Sequence, residues 1–200
     1  MKILGLTGGI SCGKSTIARM LKELGANIID TDKIAHELAE IGEPLYLAYL
    51  EHFGEDILLE DKKLNRREIA IRIYNDPNER EWINSVAHPI IRQRVEEEIS
   101  RLKETGAKSA VLDAPLLFEV GWQNYADVIW VAYVNRQLQI KRLKKRDRIG
   151  RANAEKRLNA QMPIEEKKKL ADVVICNENG LEELRQEVSK AWSEFCQSLD

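Results

Sequence analysis

Five short runs of mostly apolar residues are separated by segments whose apolar positions recur every three or four residues. The runs are Lys2–Leu6, Asn27–Ile29, Ala110–Asp113, Val128–Val134 and Val173–Ile175. They are rich in Ile and Val and nearly unbroken by polar residues, as in parallel strands buried on both faces. Between and after them the period lengthens. Thr16 to Leu24 reads as an amphipathic helix. The last segment places apolar residues at 181, 184, 188, 191, 195 and 199, a core-facing helical stripe. Strands alternating with helices predict an α/β domain built on a five-stranded parallel sheet.

Two stretches break the alternation. Residues 33–104 separate the second and third strands, far more than one crossover helix needs, and they carry several helix starts. Asn65-Arg-Arg-Glu68 has an acidic residue three places after a capping type. Asp76-Pro77 puts proline at a first helical position with Glu79 behind it. His88-Pro89 predicts a further helix running to about Glu104. This stretch reads as an inserted helical subdomain. The second stretch, 136–170, is rich in Arg and Lys, with helix starts at Asn153 and Pro163. The expected core is therefore 1–32, 105–135 and 171–200, within one domain.

Composition narrows the class. A chain of 200 residues with 44% apolar and 32% charged side chains suits a water-soluble globular protein. A net charge of −2 gives no broad attraction to nucleic acid or membranes. Apolar runs are too short to span a bilayer, and the N-terminus enters a strand directly without a signal-peptide pattern. Cys12, Cys176 and Cys196 are few and widely spaced, so neither a disulfide framework nor a cysteine metal cluster is expected. A cytoplasmic location is the simplest expectation.

The chemistry concentrates in Gly8-Gly-Ile-Ser-Cys-Gly-Lys-Ser15, which fits G-x-x-x-x-G-K-[ST] between a strand and a helix. Glycines let the backbone curl so that N–H groups converge on a phosphate, and the helix N-terminus adds partial positive charge. Ser11, Cys12, Gly13 and Thr16 complete this candidate cradle. Lys14 can reach the β- and γ-phosphates of a nucleoside triphosphate, and the Ser15 hydroxyl can ligate Mg²⁺. Cys12 lies close to a helix N-terminus, which predicts a lowered thiol pKa and a point of oxidation.

Strand ends supply carboxylates. Asp30 and Asp32 follow the second strand, at the same sheet edge as the phosphate loop. A carboxylate there can accept a proton from an attacking hydroxyl, or it can cap the helix that starts near Lys33. Asp113 ends the third strand, where a Walker-B aspartate holds Mg²⁺. The basic stretch includes Arg136, Arg142, Lys144, Lys145, Arg146, Arg148, Arg151 and Arg157. It reads either as a solvated helical face or as a lid whose arginines meet the transferring phosphoryl group. Arg142 and Arg146 share a face at i,i+4. His88 and Arg92 suit anion recognition at a helix start, or a cap and a pairing with Glu96.

In combination, these motifs resemble the dephospho-CoA kinase family. The resemblance rests on Gly5-Leu-Thr-Gly-Gly-Ile10, Asp30-Thr-Asp32, His88-Pro89-x-x-Arg92, Asp113-Ala-Pro-Leu-Leu-Phe-Glu119, Arg142 with Arg146-Asp147, Arg157-x-x-x-Gln161 and Asp172-Val-Val-Ile-x-Asn177. It covers nearly the whole chain. It implies a three-layer P-loop kinase fold with a helical substrate subdomain and a helical lid, as a monomer or small homo-oligomer. It implies transfer of the ATP γ-phosphate, with Mg²⁺, to the ribose 3′-hydroxyl of dephospho-CoA. Asp32 matches the family's general base. His88, Arg92 and Pro115, Leu116 and Leu117 match positions lining the acceptor site. Arg142 and Arg146 match lid arginines near the phosphates, and Asn177 a position near the adenine.

Three departures from the family pattern stand out. Ser11-Cys12 replaces the usual Gly-Ser, Ala114 replaces valine, and Gly180 comes one residue late after Asn177. A nucleoside or shikimate kinase would share the same core and differ in residues 33–104. A GTPase is disfavoured by the lack of an Asn-Lys-x-Asp signature.

Overall fold

A computed structural model describes residues 1–199, with the side chains at 74, 75 and 80 outside the description. In chain order the elements are β1 (Lys2–Gly8), α1 (Lys14–Glu23), β2 (Ile28–Asp30), α2 (Thr31–Glu37), α3 (Pro44–Phe53), α4 (Arg66–Asn75), α5 (Pro77–Glu104), β3 (Ser109–Asp113), β4 (Val128–Tyr133), α6 (Arg136–Asp147), α7 (Arg151–Leu158), α8 (Ile164–Lys169), β5 (Val173–Cys176) and α9 (Leu181–Gln197). The chain divides into two compact units, one of Met1–Ile29 with Leu102–Asp200, the other of Asp30–Arg101.

The first unit carries the five-stranded parallel sheet, ordered β2-β3-β1-β4-β5. This is the expected α/β architecture. β1 lies in the middle, and all but its first residue are buried, as is every residue of β3. That burial explains why both strands are apolar on consecutive rather than alternate positions. The register sets Leu6 against Asp113 and Gly8 against Ala132. Asp113 thus ends its strand beside the last residues of β1 before the phosphate loop. Gly8 is required there, because a Cβ would lie 2.8 Å from the Ala132 carbonyl oxygen. Leu4, Leu6, Ile17, Leu21, Val131, Ile175, Val188 and Trp192 share one core that joins β1, β4, β5, α1 and α9. Burying each such side chain contributes roughly 1.5–3 kcal/mol. The predicted stripe of the closing helix is realised beyond its first position: Leu184, Val188 and Phe195 are buried and Trp192 stacks on Phe195 at 5.3 Å, whereas Leu181 is exposed.

The second unit is helical. Asp30 caps α2, its carboxylate accepting from the Lys33 N–H at 3.0 Å, and Asn65 caps α4 by accepting from Glu68 N–H at 3.1 Å. Tyr49, His52, Phe53 and Trp82 form an aromatic cluster in which His52 lies parallel to Trp82 at 3.6 Å.

Two predicted helix starts are corrected. His88-Pro89 begins no helix, because α5 runs unbroken for 28 residues with Pro89 inside it. Proline inside a helix removes one hydrogen bond, which the many helix-forming residues on either side of it outweigh here. In the basic stretch, α7 starts at Arg151 with Gly150 as its cap, ahead of Asn153. Among the described residues, no helix is long and apolar enough to cross a membrane.

Candidate active site

The phosphate loop is a short reversal between β1 and α1. Cys12 N–H donates to Gly9 C=O at 3.1 Å, and Gly13 caps α1 with a left-handed φ of 89°. The helix has no side-chain cap, so the cradle at its start is made of backbone. Lys14 sits in the first turn, and its ammonium pairs with the Asp113 carboxylate at 2.6 Å, with both side chains largely shielded from water. The sheet register that aligns Leu6 with Asp113 produces this pair. The carboxylate at the end of β3 and the lysine and serine at the head of α1 therefore occupy one neighbourhood. Thr16 lies in that same first turn, its N–H donating to Gly13 C=O at 2.9 Å.

Two side chains from elsewhere in the first unit hold the loop's backbone. Asn177, just past β5, donates its amide to the Cys12 carbonyl at 3.0 Å. Gln139, on α6 and 3% exposed, donates to the Ile10 carbonyl at 2.9 Å and contacts the Cys12 sulfur at 3.3 Å. Both amides need glycine opposite them. A Cβ on Gly13 would lie 2.0 Å from the Asn177 nitrogen, and one on Gly9 2.3 Å from the Gln139 nitrogen. Glycines in the loop thus serve packing, and at Gly13 also φ freedom.

The unusual Ser11-Cys12 pair is resolved in physical terms. Ser11 takes φ 63°, a left-handed conformation that glycine adopts without strain. Its hydroxyl oxygen is buried without a hydrogen-bond partner among the described residues. Cys12 is fully buried, and burial pushes its thiol above the ordinary value. The expected lowering by the helix N-terminus does not occur, since desolvation disfavours the thiolate more strongly.

Arg142 and Arg146 part company despite their i,i+4 spacing. Arg142 donates to the Asn177 backbone carbonyl at 2.8 Å, next to the loop. Arg146 pairs with Asp147 at 2.7 Å, and Arg157 meets the same carboxylate at 2.5 Å. The Arg146 hydrogen bond, more than the neighbouring Arg157 charge, holds Asp147 below the usual carboxylate range.

After β3 the chain turns through Pro115, Leu116 and Leu117. Leu117 is fully buried and Leu116 partly open. The Pro115 carbonyl accepts from Thr7 Oγ1 at 3.2 Å and from Lys167 Nζ at 2.7 Å.

In the second unit, Asp32 occupies the first turn of α2 on its exposed side, while Asp30 takes the capping role. His88 and Arg92 line one concavity of about 370 Å³ together with Asn84, Ser85 and Glu96. Positions 84, 88, 92 and 96 fall on one face of α5, which is what brings the imidazole and guanidinium together. Burial, assisted by the Arg92 charge, lowers the His88 pKa.

Sequence reasoning did not single out Gln139 or Lys167. Gln139 lies one helical turn before Arg142, a spacing that could have drawn attention to it. Lys167 opens a run of three lysines that reads as solvated surface.

Residues 2–183 match the family model described as "Dephospho-CoA kinase". The chain belongs to the dephospho-CoA kinase family. Its similarity to the dephospho-CoA kinase of Carboxydothermus hydrogenoformans is 42% identity over 188 residues, covering 94% of this chain and 91% of that protein. The solved structure of the dephospho-CoA kinase from Campylobacter jejuni superposes with a TM-score of 0.74 at 31% identity, covering 99% of each chain. A shikimate kinase structure from Acinetobacter baumannii shares the fold, with a TM-score of 0.51 at 16% identity over 99% of this chain and 94% of that one. Membership of the dephospho-CoA kinase family makes this chain a kinase, and the shikimate kinase likeness extends to the fold alone.

Proposed function

We propose that this chain transfers the γ-phosphate of ATP to the ribose 3′-hydroxyl of 3′-dephospho-CoA, giving coenzyme A and ADP. The observation that carries this reading is the phosphate loop with its Lys14–Asp113 pair at 2.6 Å, in a chain matched to the family over residues 2–183. The loop N–H groups and Lys14 bind the β- and γ-phosphates. As the acceptor oxygen bonds to the γ-phosphorus, the bond from that phosphorus to the β-bridging oxygen breaks and ADP leaves. Asp32 takes the hydroxyl proton. Arg142 and Arg146 offset charge on the transferring group, Asn177 lies toward the adenine, and His88, Arg92 and Pro115–Leu117 receive the acceptor.

Magnesium fits the residues present. Among the described residues no cluster of three His, Cys, Asp or Glu side chains forms a closed cage. The Ser15 hydroxyl and the Asp113 carboxylate are hard oxygen donors of the kind Mg²⁺ takes alongside phosphates and water. When bound, the ion would neutralise phosphate charge. The reading places the reaction in the cytoplasm.

The test is ATP consumption with dephospho-CoA, adenosine and shikimate offered in parallel. Stimulation by dephospho-CoA alone is expected. Stimulation by one of the others instead overturns the acceptor assignment.

A further inference from the structure

Lys167 is a buried cation with no part in the proposed phosphoryl transfer. Its side chain is fully shielded from water, on a helix whose next two lysines are open to it. Its ammonium donates to the Pro115 carbonyl at 2.7 Å and to the Glu119 carboxylate, with the nearer oxygen at 2.9 Å. Thr7 fills a second position on the same carbonyl at 3.2 Å. Glu119 also accepts from the Met162 N–H at 3.0 Å. A lone ammonium buried this way would be costly, so its partners define where it sits. Burial lowers its pKa and the Glu119 contact opposes that lowering.

Pro115 and Glu119 begin and end the five-residue turn that carries Leu116 and Leu117. One amine grips both ends, closing the turn as a bound metal ion would. Thr7 ties the same carbonyl to the end of β1, immediately before the phosphate loop. Thr7 therefore ties the turn to the strand that leads into the loop, while the amine ties both ends of the turn to α8.

We infer that Lys167, with Glu119 as its counter-ion, is a positioning residue that sets the Pro115–Leu117 wall for the acceptor. This rests on the reading that Pro115–Leu117 contact the acceptor. The pair lies behind the wall and touches neither substrate. Its effect runs through the backbone of the turn and should fall on acceptor recognition rather than on ATP.

Three variants test it in steady-state kinetics and thermal unfolding. Lys167→Met leaves Glu119 without its counter-ion and should lower the melting temperature. Adding Glu119→Gln removes that stranded charge and should restore most of the melting temperature, but it cannot restore the tether to Pro115. The double variant should therefore keep a KM for dephospho-CoA raised about tenfold, with the KM for ATP within about twofold of wild type. Leu116→Ala reports on the wall itself and should also raise the acceptor KM. An acceptor KM that returns to normal with stability, while Leu116→Ala still raises it, overturns the positioning role alone. Normal acceptor KM in both the double variant and Leu116→Ala overturns the wall reading and the positioning role together.

Discussion

Asn177 donates its side-chain amide to the Cys12 carbonyl at 3.0 Å, across 165 residues of sequence. The same residue's backbone carbonyl accepts from Arg142 at 2.8 Å. One residue just past β5 thus holds both the phosphate loop and the Arg142 guanidinium. Asn177→Ala removes the amide and leaves the Cys12 carbonyl without its donor. Losing such a hydrogen bond costs about 1 kcal/mol or somewhat more. The KM for ATP should rise by roughly fivefold to tenfold, while the KM for dephospho-CoA stays near wild type. Initial rates with each substrate varied in turn check this. An unchanged ATP KM would remove Asn177 from the loop's support.

Ser11 pays for a glycine-like conformation with strain, having φ 63° and a buried hydroxyl that lacks a partner among the described residues. Ser11→Gly relieves both defects, against the greater backbone freedom glycine has when unfolded. The balance is a gain of about 1 kcal/mol in unfolding free energy, read from denaturant titration without nucleotide. If the hydroxyl donates to an ATP phosphate, the same variant should also raise the ATP KM. A more stable enzyme with unchanged ATP KM would confine Ser11 to a structural quirk.

The sheet was legible because its strands are buried on both faces, so Ile3 to Leu6 and Ala110 to Leu112 leave apolar runs in the sequence. The loop was legible because phosphate binding by backbone demands glycine and lysine at fixed spacing. What stayed hidden depends on contacts between residues far apart in sequence. Lys167 reads as surface because its partners lie 48 and 52 residues away. Cys12 reads as activated because a helix N-terminus is visible in sequence and full burial is not. His88-Pro89 reads as a helix start because proline favours that position. The 28-residue helix overrides it through the turns on either side.

His88 provides a pH test. Its pKa lies below the ordinary 6.5 because burial, and then Arg92, disfavour the imidazolium. Between those two values the unfolded chain takes up a proton that the native chain refuses. The stability this group contributes is therefore present above about pH 6.5 and is lost as pH falls through that value toward the lower native one. His88→Gln removes the titration. Melting temperatures at about pH 7.5 and 5.5 should fall less for the variant than for wild type across that interval. Equal falls would mean that His88 titrates as it does in the unfolded chain.

Asp32 and Asp30 sit two residues apart in different settings. Asp30 spends its carboxylate on the Lys33 N–H at 3.0 Å, as a helix cap. Asp32 faces outward from the first turn of the same helix, and under the proposed mechanism it takes the acceptor's proton. Asp32→Asn keeps the shape and removes the basicity. ATP binding, measured by calorimetry, should be unchanged, and kcat should fall by roughly 10²–10⁴-fold. Asp30→Asn retains a capping oxygen and should lose under about 1 kcal/mol of stability with near-normal turnover. If Asp30→Asn abolishes turnover and Asp32→Asn does not, the base and the cap have been assigned the wrong way round. Near-normal turnover in both would require the proton to leave by a route that involves neither carboxylate.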